Sequence, residues 1–201
     1  MANGSDRSPD GYRRVASPAI NAEGALPGPR IRADVVDVYI VRAAKPVIRL
    51  DDEGTDGSGP GLMDLELLQL LRTKPPLHGT WQPVMGHIEQ GETAVQAAVR
   101  EMLEEVNLAP ASPHFGGMWA LEQVHPFYIP QIDCIVMSPR FVVMVDRAWE
   151  PRLNSEHGDA RWVSSRGAAA EFMWPGQHAA ITELRGLLHP GHLAHVRQRL
   201  L

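Results

Sequence analysis

Between Gly86 and Leu108 the chain carries Glu89, Glu92, Glu101, Glu104 and Glu105, with Arg100 among them. Glu101, Glu104 and Glu105 stand at i, i+3 and i+4, so a helix would group them on one lateral face, with Arg100 at its edge. Carboxylates held that close repel one another unless water or a cation screens them. Two chemistries fit. One is a solvated acidic face. The other is a cluster of hard oxygen ligands for Mg²⁺ or Mn²⁺, ions that commonly share their coordination with substrate phosphates. Gly86 and Gly91 precede the acidic run, which suits a backbone bending close to a ligand. The residues alone leave both readings open.

A helix must carry these acids, and the sequence supplies its start. Thr93 and Gln96 have the spacing of a capping box, and Val95, Ala98, Val99, Met102 and Val106 recur at three- and four-residue intervals as a buried stripe. The β-branched run Val35–Val41 predicts a strand, continued over Pro46–Leu50; Leu62–Arg72, Met118–Val124, Ile132–Met137, Phe141–Val145 and Ala160–Val163 predict others. The acidic, Gly-rich stretch Asp51–Gly61 reads as a long hairpin loop. Gln177–Leu188 has helical spacing, and His192–Leu201 predicts a further short helix. Residues 1–30, rich in Gly and Pro, read as a disordered tail before a domain over residues 31–201. Strands on both sides of a central helix, with another helix at the end, indicate a mixed α/β (α+β) fold with helices covering a mixed sheet.

Composition narrows the functions. The 201 residues carry 19 Lys+Arg and 24 Asp+Glu, a net charge of −5, which argues against a nucleic-acid binder built on clustered cations. The single cysteine, Cys134, excludes an intramolecular disulfide and a Cys-rich zinc site, and it reads as a core residue. No apolar run is long enough to span a membrane, and residues 1–30 lack a signal-peptide core. The expectation is a cytoplasmic protein with no membrane or nucleic-acid partner.

The acidic segment resembles the box of the Nudix hydrolases, G-x5-E-x7-R-E-U-x-E-E-x-G-U, with U a bulky aliphatic residue. Gly86, Glu92, Arg100, Glu101, Met102, Glu104, Glu105 and Leu108 fit the pattern, and Asn107 replaces its last Gly. That Gly is a helix cap needing positive φ, and Asn is the next most tolerant residue there. The resemblance implies a Nudix fold, a mixed β-sheet sandwiched between helices. It implies Mg²⁺- or Mn²⁺-dependent attack of water on a phosphorus of a nucleoside diphosphate linked to another group. By position, Glu104 and Glu105 would be the main metal ligands. Glu101 would be a ligand or the base, Arg100 and Glu92 an orienting pair, and the Met85 carbonyl a further ligand.

Glu156, in Asn154–His157, is the candidate carboxylate from outside the box, as ligand or base. This Glu-His before a Trp-containing strand resembles Nudix pyrophosphatases of the dihydroneopterin triphosphate and dATP type. So do Trp81-Gln82 and the absence of Pro-Gly-Gly before the box, where Val84, Met85 and Gly86 stand instead. Candidate substrate contacts are Trp81, His87, Phe127 and Tyr128; Trp174-Pro175-Gly176 reads as a loop entering the last helix. The expected activity releases a monophosphate and pyrophosphate from a (deoxy)nucleoside or pterin triphosphate. A dinucleoside polyphosphate or ADP-ribose hydrolase, or a catalytically silent nucleotide sensor, are the alternatives. Isopentenyl diphosphate isomerisation would need a site cysteine. The oligomeric state, monomer or homodimer, stays open.

Overall fold

The computed structural model describes residues 28–44, 64–75, 77–189 and 192–201. Most of the expected tail, the strand continuation Pro46–Leu50 and the loop Asp51–Gly61 lie outside these residues. The elements run β1 (Arg30–Arg32), β2 (Val35–Ala43), β3 (Leu65–Arg72), β4 (Trp81–Gln82), β5 (Val84–His87), α1 (Ala94–Val106), β6 (Phe115–Ala120), β7 (Phe127–Ile129), β8 (Cys134–Val136), β9 (Arg140–Val145), β10 (His157–Ser164), α2 (Ala168–Glu171), α3 (Pro175–Leu187) and α4 (Leu193–Arg197).

A seven-stranded mixed sheet follows the order β10-β3-β2-β9-β6, with β4 on β3 and β5 on β2. Its central strands β2 and β9 pair in parallel, from Asp37 opposite Arg140 to Val41 opposite Met144. Alternation along β2 builds two cores. Val36, Val38 and Ile40 pack with Ala97, Ala98, Met102 and Val106 of α1. Tyr39 and Val41 pack on the other face with Ala180, Ile181, Leu184 and Leu187 of α3. The strand reads as a continuous apolar run because both of its faces are covered. A second, three-stranded sheet, β1-β8-β7, carries a small cluster of its own around Ile129, Cys134 and Val136.

Helix α1 begins as the capping box predicts: the Thr93 hydroxyl accepts from the Gln96 N–H, and the Gln96 side chain accepts from the Thr93 N–H at 2.8 Å. It ends at Asn107, which sits in the left-handed region at φ 57° and ψ 41°. The N–H groups of Asn107 and Leu108 return to the carbonyls of Leu103 and Met102, each at 3.1 Å. These bonds satisfy carbonyls that the helix itself leaves open.

Three elements depart from expectation for visible reasons. The strand expected over Met118–Val124 starts earlier and stops at Ala120. A bulge at Gly117 (φ 145°) extends it backwards, and the Glu183 carboxylate takes the N–H groups of Glu122 and Gln123. The strand expected from Ile132 begins at Cys134, after a 3₁₀ turn over Pro130–Ile132 that ends on Asp133 with φ 45°. The expected helix His192–Leu201 covers only Leu193–Arg197. Beyond it the chain lies along β6, with Trp119 bridging Arg199 and the Met118 N–H bonding the Leu201 carbonyl at 3.1 Å. Strand β6 ends the sheet path, and the last residues supply partners its open edge would otherwise lack.

Candidate active site

A cavity of about 800 Å³ opens beside α1 and runs to the start of α3. Its two ends differ in chemistry. At one end stand Glu101, Glu104 and Glu105 of α1 and Glu156 of the loop before β10; at the other stand Phe127 and Trp174.

The helix places the acids unequally. The side chains of Glu101 and Glu105 are 12% and 3% exposed, against 55% for Glu104. Burial is the main reason that the carboxyls of Glu101 and Glu105 are pushed above the usual range, and strongly so for Glu105, where Glu101 adds like-charge repulsion. The Glu105 Oε2 atom is buried with no hydrogen-bond partner. His157 Nε2, 4.0 Å away, does not fill that role. Its Nδ1 faces the Asn154 amide oxygen at 3.3 Å and must carry the proton, so Nε2 accepts from Gln82 Nε2 at 3.4 Å. Burial, then the nearby Arg72, lowers the His157 pKa to about 4, so the ring is neutral at pH 7 and offers Glu105 no charge.

Gly86 brings the β5 backbone against this cluster. A Cβ there would lie 1.8 Å from Glu101 Cδ and 1.9 Å from its Oε1, so any larger residue would have to displace the Glu101 carboxylate or the strand. Met85 precedes it in β5, and its backbone N–H helps hold the Glu105 carboxyl down. Loop 88–93 is latched to the helix by Arg100, whose Nε and Nη2 donate to the Glu92 carboxylate at 2.8 and 3.0 Å. Nη2 also donates to the His87 carbonyl at 2.7 Å. Two bonds from Arg100, aided by the Glu89 N–H, lower the Glu92 pKa to about 2. Glu92 in turn keeps the guanidinium firmly protonated.

The donor set fits a hard divalent cation on one observation above all: a buried, ionisable oxygen on Glu105 with nothing to pair with it. As the side chains stand, no three His, Cys, Asp or Glu groups among the described residues close into a metal cluster. Arg100 Nη1 holds Glu101 Oε1 at 2.7 Å and Glu104 Oε2 at 3.3 Å, turning both toward itself. Ligation would require these side chains to swing from Arg100 toward Glu105.

Glu156 reaches the cavity because its loop caps the helix. The N–H groups of Arg152 and Asn154 bond the Val106 and Glu105 carbonyls at 3.1 and 3.2 Å. The Glu156 carboxylate then meets Arg72 Nη1 at 3.2 Å and Lys74 Nζ at 3.7 Å. His87 lines the cavity with its Nδ1 3.9 Å from Asp34 Oδ2.

Two substrate candidates fall outside the cavity lining, and strand alternation explains both. Gln82 pairs opposite Leu70 and faces α1, so Trp81, its neighbour, points to the other face of the sheet. There it lies under the Arg161 guanidinium, 4.2 Å from the ring centroid. In β7, Phe127 and Ile129 line the cavity while Tyr128 turns away and donates to Asp133 Oδ1 at 2.9 Å. Arg72, Gln82, Asp37, Arg140 and Trp174 also line the cavity, and none of them stands among the site candidates of the sequence. No short motif marks them; only an aromatic residue directly before a Pro at a helix start, Trp174-Pro175, offered a signal.

A glutamate-lined cavity with an unpartnered carboxylate lies on a mixed sheet between helices. The model of the NUDIX domain matches residues 56–184, and the chain belongs to that family. An octanoyltransferase of Myxococcus xanthus is 32% identical over 144 residues, 71% of this chain but only 38% of that protein's length. Among solved structures, a C. elegans Ap4A hydrolase binary complex superposes with a TM-score of 0.56 at 18% identity, over 78% of this chain and 97% of that one. The E. coli dihydroneopterin triphosphate pyrophosphohydrolase superposes with a TM-score of 0.50 at 23% identity, over 75% and 95%. At these identities the structural likeness speaks for the fold.

Proposed function

We propose that the chain is a Mg²⁺- or Mn²⁺-dependent pyrophosphohydrolase that cleaves a (deoxy)nucleoside triphosphate or pterin triphosphate to the monophosphate and pyrophosphate. The observation that carries this is the buried, unpartnered Glu105 carboxylate at the head of a cavity whose far end is aromatic. Glu105, Glu104 and Glu101 would hold the cation, with the Met85 carbonyl and Glu156 as further ligands. When bound, the cation neutralises phosphoryl oxygens and lowers the pKa of water. The chain's own residues do the rest. Glu101 or Glu156 accepts the proton of the attacking water. Arg72, beside Glu156, offers positive charge to the phosphates. Arg100 and Glu92 hold loop 88–93 against the helix, so that the phosphate chain meets a fixed backbone.

A silent nucleotide-binding module has no use for a buried, mutually repelling carboxylate pair, which weighs against that reading. A thiol-based acyl transfer finds no nucleophile: Cys134 is buried among Ile129 and Val136, and burial raises its pKa. No described helix is long and apolar enough to cross a membrane. We place the enzyme in the cytoplasm, where its substrates and Mg²⁺ are found. The test is incubation with Mg²⁺ and a triphosphate panel in ¹⁸O-water, with products identified by mass. Label in the monophosphate or pyrophosphate shows which phosphorus is attacked; full turnover in excess chelator would sink the reading.

A further inference from the structure

The aromatic end of the cavity is built from residues distant in sequence. Phe127 and Trp174, 36% and 42% exposed, stand with ring centroids 6.2 Å apart and planes within 18° of parallel. Two large aromatics left this exposed on a cavity wall form a platform for a planar ring. Behind them lies a buried polar group. Arg140, its side chain 3% exposed, donates from Nε to Asp37 Oδ2 at 3.2 Å and from Nη1 to the Gly176 carbonyl at 2.9 Å. Its Nη2 bonds no described residue. Space for Nη2 exists because residue 176 is Gly, where a Cβ would lie 2.8 Å from it. The Nε2 atom of His125, which also lines the cavity, is buried and without a partner. Ser138 Oγ lies 3.0 Å from the Val35 carbonyl and 3.1 Å from Asp37 Oδ1, and the Asp37 carboxylate holds Arg140 in place.

We propose that this end is a slot for a fused heterocycle with an oxo group beside a ring nitrogen, a 6-oxopurine or a 4-oxopteridine. Phe127 and Trp174 take its face, and Arg140, with His125, reads its edge. The inference rests on the triphosphate reading above and names the ring that reading leaves open. A guanidinium donates only, so it pairs with the adjacent O6 and N7 acceptors of guanine, or the O4 and N5 acceptors of a pteridine. Adenine presents an amino donor where the oxo group would be, which sets donor against donor and leaves buried groups unpaired. Cytosine lacks the second ring.

The experiment compares kcat/KM with Mg²⁺ for GTP, ITP, 7-deaza-GTP, ATP, CTP and 7,8-dihydroneopterin triphosphate. GTP and ITP should match each other and exceed ATP and CTP by about 10- to 100-fold, with 7-deaza-GTP falling toward ATP. The ratio of GTP to the pterin compound tells which source of the shared edge is preferred. Trp174→Ala should raise KM about tenfold with kcat within about threefold. Arg140→Lys keeps the buried charge opposite Asp37 but removes Nη2, and should bring the GTP-to-ATP ratio toward unity; its melting temperature reports whether it folds. If ATP or CTP is cleaved as fast as GTP, the slot is misassigned although the hydrolase stands. If no triphosphate is cleaved, the hydrolase reading fails, and metal-free quenching of tryptophan fluorescence by guanosine, pterin and adenosine still decides the slot. Equal quenching by all of them overturns it.

Discussion

The two ends of the cavity are assembled in opposite ways. Met85, Gly86, Glu92, Arg100, Glu101, Glu104 and Glu105 come from one stretch of chain, one strand, loop and helix. Glu156, from the loop before β10, and its partner Arg72, from β3, join from elsewhere. Phe127, Trp174, Asp37 and Arg140 come from β7, the α3 cap, β2 and β9. A reaction centre that must hold like charges together needs rigid, short-range geometry, which a single capped helix supplies. A slot that must fit one ring can be drawn from any element that reaches it, so its residues leave no common spacing.

The largest effect should come from the acidic end. Glu104→Gln and Glu105→Gln keep side-chain volume and each remove a charge. Each should lower kcat by at least about 10²-fold, since cation-based stabilisation contributes several kcal/mol to the barrier. Relief of repulsion should leave the metal-free melting temperature equal or higher. Near-normal turnover in both variants would reduce this end to a solvated acidic face.

Gly86→Ala tests the same end through the backbone. Its Cβ would overlap the Glu101 carboxylate at 1.9 Å, so strand or side chain must move. A loss of about 1–3 kcal/mol of stability and a clear fall in turnover are expected. Unchanged kinetics would mean that Glu101 need not sit where it does.

At the aromatic end the effect should appear in binding. Phe127→Ala should raise KM about tenfold while kcat stays within about threefold, because a stacking contact is worth about 1–3 kcal/mol. A matching fall in kcat would mean that the two ends are not separable.

Smaller still is Glu92→Gln. A carboxyl held at about 2 when folded, against an ordinary 4.5, adds stability that is present above pH 4.5 and lost as pH falls through 2. The wild type should melt higher than the variant at neutral pH, and the two curves should converge toward pH 2. A gap independent of pH would assign the loss to packing rather than to the Arg100 pair. Asn107→Gly, at φ 57°, should be neutral or stabilising by less than about 1 kcal/mol in denaturant melts.

The periodic signals in the sequence foretold α1 with its N-cap and the central strands β2, β3 and β9, because each depends on neighbours a few residues away; the Asn107 cap and the pairing of Arg100 with Glu92 were implied by the resemblance of the box. The same reasoning placed β6 and β8 with shifted ends, since a carboxylate from α3 and a proline-led turn set those boundaries. It also named Trp81 and Tyr128 as ring contacts. In a strand, the choice between two faces belongs to the register with the partner strand: Gln82 faces the cavity rather than Trp81, and of the two candidates in β7 it is Phe127, not Tyr128, that does.

The sequence by itself determined the class of this protein: the Gly, Arg and Glu spacing of one capped helix and the loop before it is a local property, and it survives any rearrangement elsewhere. The unequal burial of the acids was decided only by the tertiary structure. Glu101 and Glu105 share the turn of the helix that β5 and the loop before β10 cover, while Glu104 is left at the cavity mouth. The same folding set Arg140 behind an aromatic platform, through a parallel β2–β9 pairing that aligns Asp37 with Arg140 across 103 residues of chain. Desolvation and long-range pairing arise only when distant segments meet, so no spacing in the chain could announce them.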